Sequence, residues 1–113
     1  MQTFERGDLI KVPFPYTDRA TRQRRPAFVI GAGDLQSGHG LLWVLMVTSA
    51  ENRSWPGDVD IHDHRAAGLP APSVVRTAKI ATIDARDAEP LGKAPTALLS
   101  AVTARVETVL NGR

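Results

Sequence analysis

The chain has no cysteine, which excludes disulfides and thiolate metal sites and leaves the compartment open. No apolar run reaches membrane-spanning length, so no membrane role is expected. Met1-Gln2-Thr3-Phe4-Glu5-Arg6-Gly7-Asp8 lacks a basic stretch followed by an apolar core, so no secretory signal is expected and the cytoplasm is the default. Internal repeats and low-complexity segments are missing too. Nor is there a strong charge imbalance: a net charge of +2 and a pI of about 9.5 are weak evidence for any partner by themselves. What remains is 42% hydrophobic and 23% charged residues, the composition of a soluble globular protein. At this length, residues 1–113 are expected to form one domain whose core stands without staples.

The charge that is present is clustered. Thr17-Asp18-Arg19-Ala20-Thr21-Arg22-Gln23-Arg24-Arg25 sets four arginines against one aspartate, and the apolar strand Pro26-Ala27-Phe28-Val29-Ile30 follows directly. An arginine at the mouth of a buried strand is held by the strand's packing. It keeps a permanent charge and a fork suited to phosphate oxygens. The implied partner is a polyanion.

Leu9-Ile10-Lys11-Val12-Pro13-Phe14-Pro15 reads as a strand that its prolines force to an end or an edge, and Ala27 to Gly31 as a second strand. Between Gly31 and Gly40 the chain is glycine-rich without periodicity, which predicts a loop. Leu41-Leu42-Trp43-Val44-Leu45-Met46-Val47 is an unbroken apolar run, too short for a membrane helix. It predicts a strand covered on both faces, by the terminal helix or by a second subunit. Short strands are predicted at 58–61, 73–77 and 79–83. Leu98, Leu99, Val102, Val106, Val109 and Leu110 then recur at helical spacing, and Asn111-Gly112 supplies a stop. The expected fold class is mainly β (α+β): a small, strongly bent antiparallel barrel closed by one C-terminal helix.

If the second and third strands form a hairpin centred near residue 37, paired residue numbers add to about 73. Arg25 then stands beside Thr48, where a wholly apolar strand turns polar at Thr48-Ser49. A guanidinium and hydroxyl donors fixed on strand ends make a cradle for a phosphodiester.

Several segments together resemble the MazF/PemK family of toxin endoribonucleases, nearly end to end. Gly7-Asp8-Leu9-Ile10-Lys11-Val12-Pro13-Phe14-Pro15 is similar to the family's opening strand, Arg25-Pro26-Ala27-Phe28-Val29-Ile30 to its Arg-Pro strand, and Val47-Thr48-Ser49 to its Thr-Ser strand end. Ser73-Val74-Val75-Arg76 and Thr82-Ile83-Asp84 follow in the family's order. The resemblance implies an SH3-like barrel, a homodimer, metal-independent cleavage of single-stranded RNA without a cofactor, and a cognate antitoxin that blocks the RNA groove. It makes Arg25 and Thr48 the catalytic pair. In the implied reaction the 2′-oxygen attacks the adjacent phosphorus and expels the 5′-oxygen, leaving a 2′,3′-cyclic phosphate. Arg25 would neutralise charge on the non-bridging oxygens, while Thr48 donates a hydrogen bond. A guanidinium stays protonated near neutrality, so Arg25 is not the general base. One branch of the family has an Asp two residues after the Val-Val-Arg arginine, where this chain has Ala78. The base is left open among water, Thr48, Asp18 and a histidine elsewhere.

Ser49 and Arg76 suit RNA contact and a structural role equally, and Trp55, in Ser54-Trp55-Pro56, is a candidate for stacking on a base or, equally, for lidding the core. Arg19, Arg22 and Arg24 are expected to act through groove electrostatics or antitoxin contacts. His62-Asp63-His64 has alternate ligand-type residues but equally suits a solvated turn, and no metal site is expected. His39 is expected to be exposed, and Asp84 to tie down a turn. The rival reading is a non-enzymatic, CcdB-like gyrase poison of the same small-barrel superfamily, acting through its helix end without need of Arg25 and Thr48. A third is an RNA binder that does not cut.

Overall fold

The computed structural model describes residues 2–13 and 23–112. Strand β1 (Asp8–Pro13) pairs antiparallel with β2 (Arg24–Gly31), from Leu9 opposite Phe28 to Pro13 opposite Arg24. A short helix, α1 (Asp34–His39), leads to β3 (Leu41–Ser49), which returns along β2. Strands β4 (Asp58–Ile61), β5 (Ser73–Asp84) and β6 (Glu89–Lys93) and helix α2 (Thr96–Leu110) follow. The sheet runs β4-β5-β3-β2-β1-β6 with every pairing antiparallel. Its outer strands do not pair with each other, so the sheet stays open. The mainly β architecture with a C-terminal helix is as expected; closure into a barrel is not part of this strand order. Among the described residues no helix is long and apolar enough to cross a membrane.

Successive side chains of a strand point to opposite faces, and these strands feed two apolar clusters. Ile10, Val12, Ala27, Val29, Leu42 and Val44 pack on one face with Phe4 and Ile83. Leu9, Phe28, Ile30, Leu45 and Val47 pack on the other, where Leu98 and Val102 of α2 cover them. The apolar run of β3 is therefore covered on both faces within the chain: Leu42, Val44, Leu45 and Val47 are at most 2% exposed. Trp43 is the exception at 48% exposed. Each fully buried side chain of this kind stabilises the fold by about 1.5–3 kcal/mol.

Three elements differ from the sequence reading. The 31–40 connection contains α1, whose Gln36 side chain accepts from the Phe4 N–H at 2.9 Å and donates to the Gln2 carbonyl at 2.7 Å. That is a tertiary anchor which local periodicity does not encode. The two strands expected at 73–77 and 79–83 are one strand, β5. Its ladder jumps from Leu45 opposite Ile80 to Met46 opposite Arg76, so Thr77–Lys79 bulge out of the pairing. Finally, β6 forms at the sheet's edge despite Pro90 and Gly92, and an edge is where such residues are tolerated in strands.

Candidate functional site

The β2–β3 ladder sets Ala27 opposite Met46, Phe28 opposite Leu45 and Val29 opposite Val44, each pair adding to 73. Continued toward the start of β2, this register puts Arg25 opposite Thr48, on the face that carries Ala27, Val29 and Val44. Both residues line one cleft of about 260 Å³, together with Pro26, Val47, Ser49, Asn52 and the turn at 70–73. Among the described residues no carboxylate lines it.

Arg25 is half-buried, and among the described residues a single hydrogen bond engages its guanidinium. Nη2 donates to Gln23 Oε1 at 3.3 Å, a long bond, while the buried Nε has no partner among the described residues. No described carboxylate pairs with it. A buried N–H left unpaired costs about 1–3 kcal/mol, which an anionic oxygen in the cleft would recover.

Thr48 is held from the other side. Its Oγ1 accepts from Asn52 Nδ2 at 3.1 Å, while Ser49 Oγ accepts from the Glu51 N–H at 3.3 Å and caps a single 3₁₀ turn, Ala50–Asn52. Behind this turn Arg76 Nη2 donates to the Asn52 carbonyl at 2.7 Å. The same guanidinium grips Asp58 through Nε at 3.2 Å and Nη2 at 2.9 Å, with only 8% and 7% of the two side chains exposed. Asp58 lies directly across from Arg76 in the β4–β5 ladder. Burial pushes the Asp58 carboxyl up, but hydrogen bonds from Arg76 and from the Ser54 and Trp55 N–H groups, with the guanidinium's charge, hold it below its ordinary value. Trp55 lies over Arg76, 4.4 Å from the guanidinium carbon to the ring centroid, with Lys79 Nζ at 5.4 Å. The indole is 41% exposed.

The fold thus gathers Arg25, Thr48 and Ser49 in one cleft and leaves Arg24 and Arg76 out of its lining. Arg24, on the opposite face of β2 from Arg25, donates to the Asp87 carbonyl at 2.6 Å and the Lys11 carbonyl at 3.2 Å, and pairs with Glu89 at 3.5 Å. Arg76 is turned inward, committed to Asp58 and Asn52. Arg19, Arg22 and Asp18 lie outside the described residues. Asn52 was missed by sequence reasoning, because nothing in its spacing announces a bond to Thr48.

His39 is exposed at the end of α1. It lies beyond the far end of β3, on the order of 20 Å from Thr48 at the rise of an extended strand. His62, Asp63 and His64 occupy a turn in which Asp63 Oδ1 accepts from the Ala66 N–H at 3.1 Å. Among the described residues no three His, Asp or Glu side chains gather where they could hold a metal ion. Asp84 behaves as expected, accepting from the Arg86 N–H at 2.9 Å at the head of a 3₁₀ turn. A larger depression of about 520 Å³ lies between β4 and α2, but Asp58, Asp60 and Asp63 line it. Among the described residues no lysine or arginine lines it to meet a phosphodiester, so the smaller, cationic cleft is the candidate site.

Comparison with known proteins agrees with the fold. MazF from Deinococcus radiodurans matches with a TM-score of 0.78 and 26% identity, over 98% of this chain and 99% of that one. The MazE–MazF complex from the same organism matches at 0.76 and 26%, over 97% of each chain. An endoribonuclease in complex with its cognate antitoxin, from a mycobacterial species, shares the fold at 0.74 with 15% identity, over 98% and 96%. No curated protein sequence matches the chain. The family model described as PemK-like, MazF-like toxin of type II toxin–antitoxin systems matches residues 5–110, and the chain belongs to that family.

Proposed function

We propose that this toxin is a sequence-selective endoribonuclease that cuts single-stranded RNA without a metal ion or other cofactor. One observation carries the reading: Arg25, its buried Nε unpaired among the described residues, shares a cleft free of described carboxylates with Thr48, in a chain of the MazF-like toxin family. In the proposed reaction the RNA 2′-oxygen attacks phosphorus and the bond to the 5′-oxygen breaks. The 2′-hydroxyl proton passes to an acceptor, and the departing 5′-oxygen takes up a proton. The products are a 2′,3′-cyclic phosphate and a 5′-hydroxyl end. Arg25 neutralises the charge that grows on the non-bridging oxygens, and Thr48 donates a hydrogen bond that orients the phosphate. Arg25 stays protonated and a threonine hydroxyl is a weak acceptor, so the described cleft supplies charge stabilisation rather than a strong base.

Ser49 at the cleft rim and the partly exposed ring of Trp55 are proposed RNA contacts, with Arg19, Arg22 and Arg24 adding to the field along the strand. Arg76 we assign to holding Asn52 and Trp55 in place. Residues 1–113 act in this proposal as one domain, in the cytoplasm, as a homodimer opposed by a cognate antitoxin. The exposed apolar side chains Trp43, Ile80, Val109 and Leu110 support self-association. A CcdB-like gyrase poison is not favoured, since the matching family model is that of the MazF-like toxins. Incubating the pure protein with mixed-sequence single-stranded RNA in chelator and mapping the ends tests the proposal. New 5′-hydroxyl and 2′,3′-cyclic phosphate ends at preferred sequences are expected; intact RNA overturns it.

A further inference from the structure

Asn52 is held by one end and holds with the other. Its backbone carbonyl accepts at 2.7 Å from Arg76, which is 7% exposed and locked to Asp58, while its side-chain Nδ2 donates to Thr48 Oγ1 at 3.1 Å. A threonine hydroxyl has one hydrogen and two lone pairs. Accepting from Asn52 occupies a lone pair and turns the hydrogen away from the amide, which leaves it free to be given to a group in the cleft that Thr48 and Arg25 line. A hydroxyl without this constraint is a rotor that spends its hydrogen on whichever acceptor is nearest. We propose that Asn52 is a positioning residue that fixes Thr48 as a hydrogen-bond donor to the scissile phosphate, with the Arg76–Asp58 pair holding Asn52 in register.

This inference rests on the proposed nuclease activity and says how that site is preorganised. A donor aimed before substrate arrives costs no reorientation at the moment of reaction. Asn52 is itself exposed, so its side chain contributes little to the core. Two other roles are open to it, direct contact with RNA and simple support of the loop, and each leaves a different trace.

The experiment is a double-mutant cycle in the full chain, read by single-turnover cleavage of an RNA oligonucleotide carrying a mapped cut site. Asn52→Ala is expected to lower the cleavage rate about tenfold with RNA affinity unchanged, and to cost less than about twofold once Thr48→Val is present. Equal losses in both backgrounds, or a change confined to RNA affinity, overturn the proposal. Asn52→Asp is a second variant of the same size, and its carboxylate can only accept. It should draw the Thr48 hydrogen to itself near neutral pH and regain activity relative to wild type as the pH falls through about 4, where that carboxyl protonates and can donate. A flat ratio of variant to wild type across that range also overturns it. If the wild type leaves RNA intact, the nuclease reading fails and this inference fails with it. If the wild type cuts and the cycle is additive, only this inference falls.

Discussion

Arg25 and Thr48 line one cleft, each two residues beyond the last rung of the β2–β3 ladder, Ala27 opposite Met46. Each backbone is held by pairing with a neighbouring strand, Arg25 opposite Val12 of β1 and Thr48 opposite Val74 of β5, so both side chains start from the sheet. This is the placement expected of groups that must meet a phosphate in a defined geometry.

From it follows the expected effect of Arg25→Ala. Removing one preorganised donor costs on the order of a hundredfold to a thousandfold in rate. Initial cleavage rates on a single-stranded RNA should fall by that amount, with the thermal unfolding midpoint of the variant near that of wild type. Arg25→Lys should restore little, because an ammonium keeps the charge and loses the planar fork. A lysine variant with near-wild-type rate would mean that charge alone is required.

The Arg25–Thr48 meeting was legible in the sequence because hairpin pairing is antisymmetric about its connection, and the apolar runs on either side fixed that centre. The centre survived even though the connection holds α1, since a short helix shifts the register by no more than the irregularity between Val29 and Gly31. By contrast, Arg76 reads from sequence as one more cation for RNA. Its partner Asp58 sits 18 positions earlier and is brought across only by the pairing of β4 with β5. Asn52 was hidden for a similar reason. Its bond to Thr48 exists because Arg76 and the cap at Ser49 shape a 3₁₀ turn, and no local pattern reports that shape.

The Asp58–Arg76 pair should govern acid sensitivity. Burial raises the Asp58 carboxyl, the bonds from Arg76, Ser54 and Trp55 lower it more, and the folded-state value lies below the ordinary 3.8. A carboxyl so depressed makes the unfolded chain the better proton binder in acid. Its stabilisation is therefore complete above the unfolded value and lost as the pH falls through the folded one. Breaking a buried pair by removing one partner costs about 3–5 kcal/mol, so Asp58→Asn should lower stability by about 3 kcal/mol near neutral pH. The gap to wild type should narrow below about pH 4. Urea unfolding midpoints across the acid range check this, and a constant gap at every pH would remove Asp58 as its source.

Gly57 ends the same loop with φ at +89°, and a Cβ there would come within 2.5 Å of Arg105 Nε and 2.9 Å of Thr77 Oγ1. Thr77 also donates its hydroxyl hydrogen to the Gly57 carbonyl at 2.7 Å, so this turn is pinned between β5 and α2. Gly57→Ala is expected to destabilise by at least about 1–2 kcal/mol from backbone conformation alone. Because Trp55 and Asp58 flank the turn, RNA cleavage should fall further than the loss of folded protein explains. Activity per folded molecule, measured beside the unfolding curve, separates the two effects.

The arginines before β2 predict how activity depends on salt. A single-stranded nucleic acid releases counterions as its phosphates are neutralised, with a slope of about −0.7 per contact in log affinity against log salt. Arg19→Ala and Arg22→Ala are each expected to make that slope shallower by up to this amount for RNA binding. Arg24→Ala should change it less, since that guanidinium already donates to the Asp87 and Lys11 carbonyls and pairs with Glu89. Lys93→Ala is the control. It removes the same unit of charge from β6, where the ammonium is paired with Asp8 at 2.8 Å and with Glu5 at 3.6 Å, away from the cleft. Fluorescence anisotropy of a labelled RNA across a salt series gives the four slopes. If Lys93→Ala flattens the slope as much as Arg19→Ala and Arg22→Ala, the dependence reflects overall charge and these two arginines do not track the RNA strand. If only Arg19→Ala and Arg22→Ala flatten it, the cations before β2 lie along the RNA path that ends at Arg25.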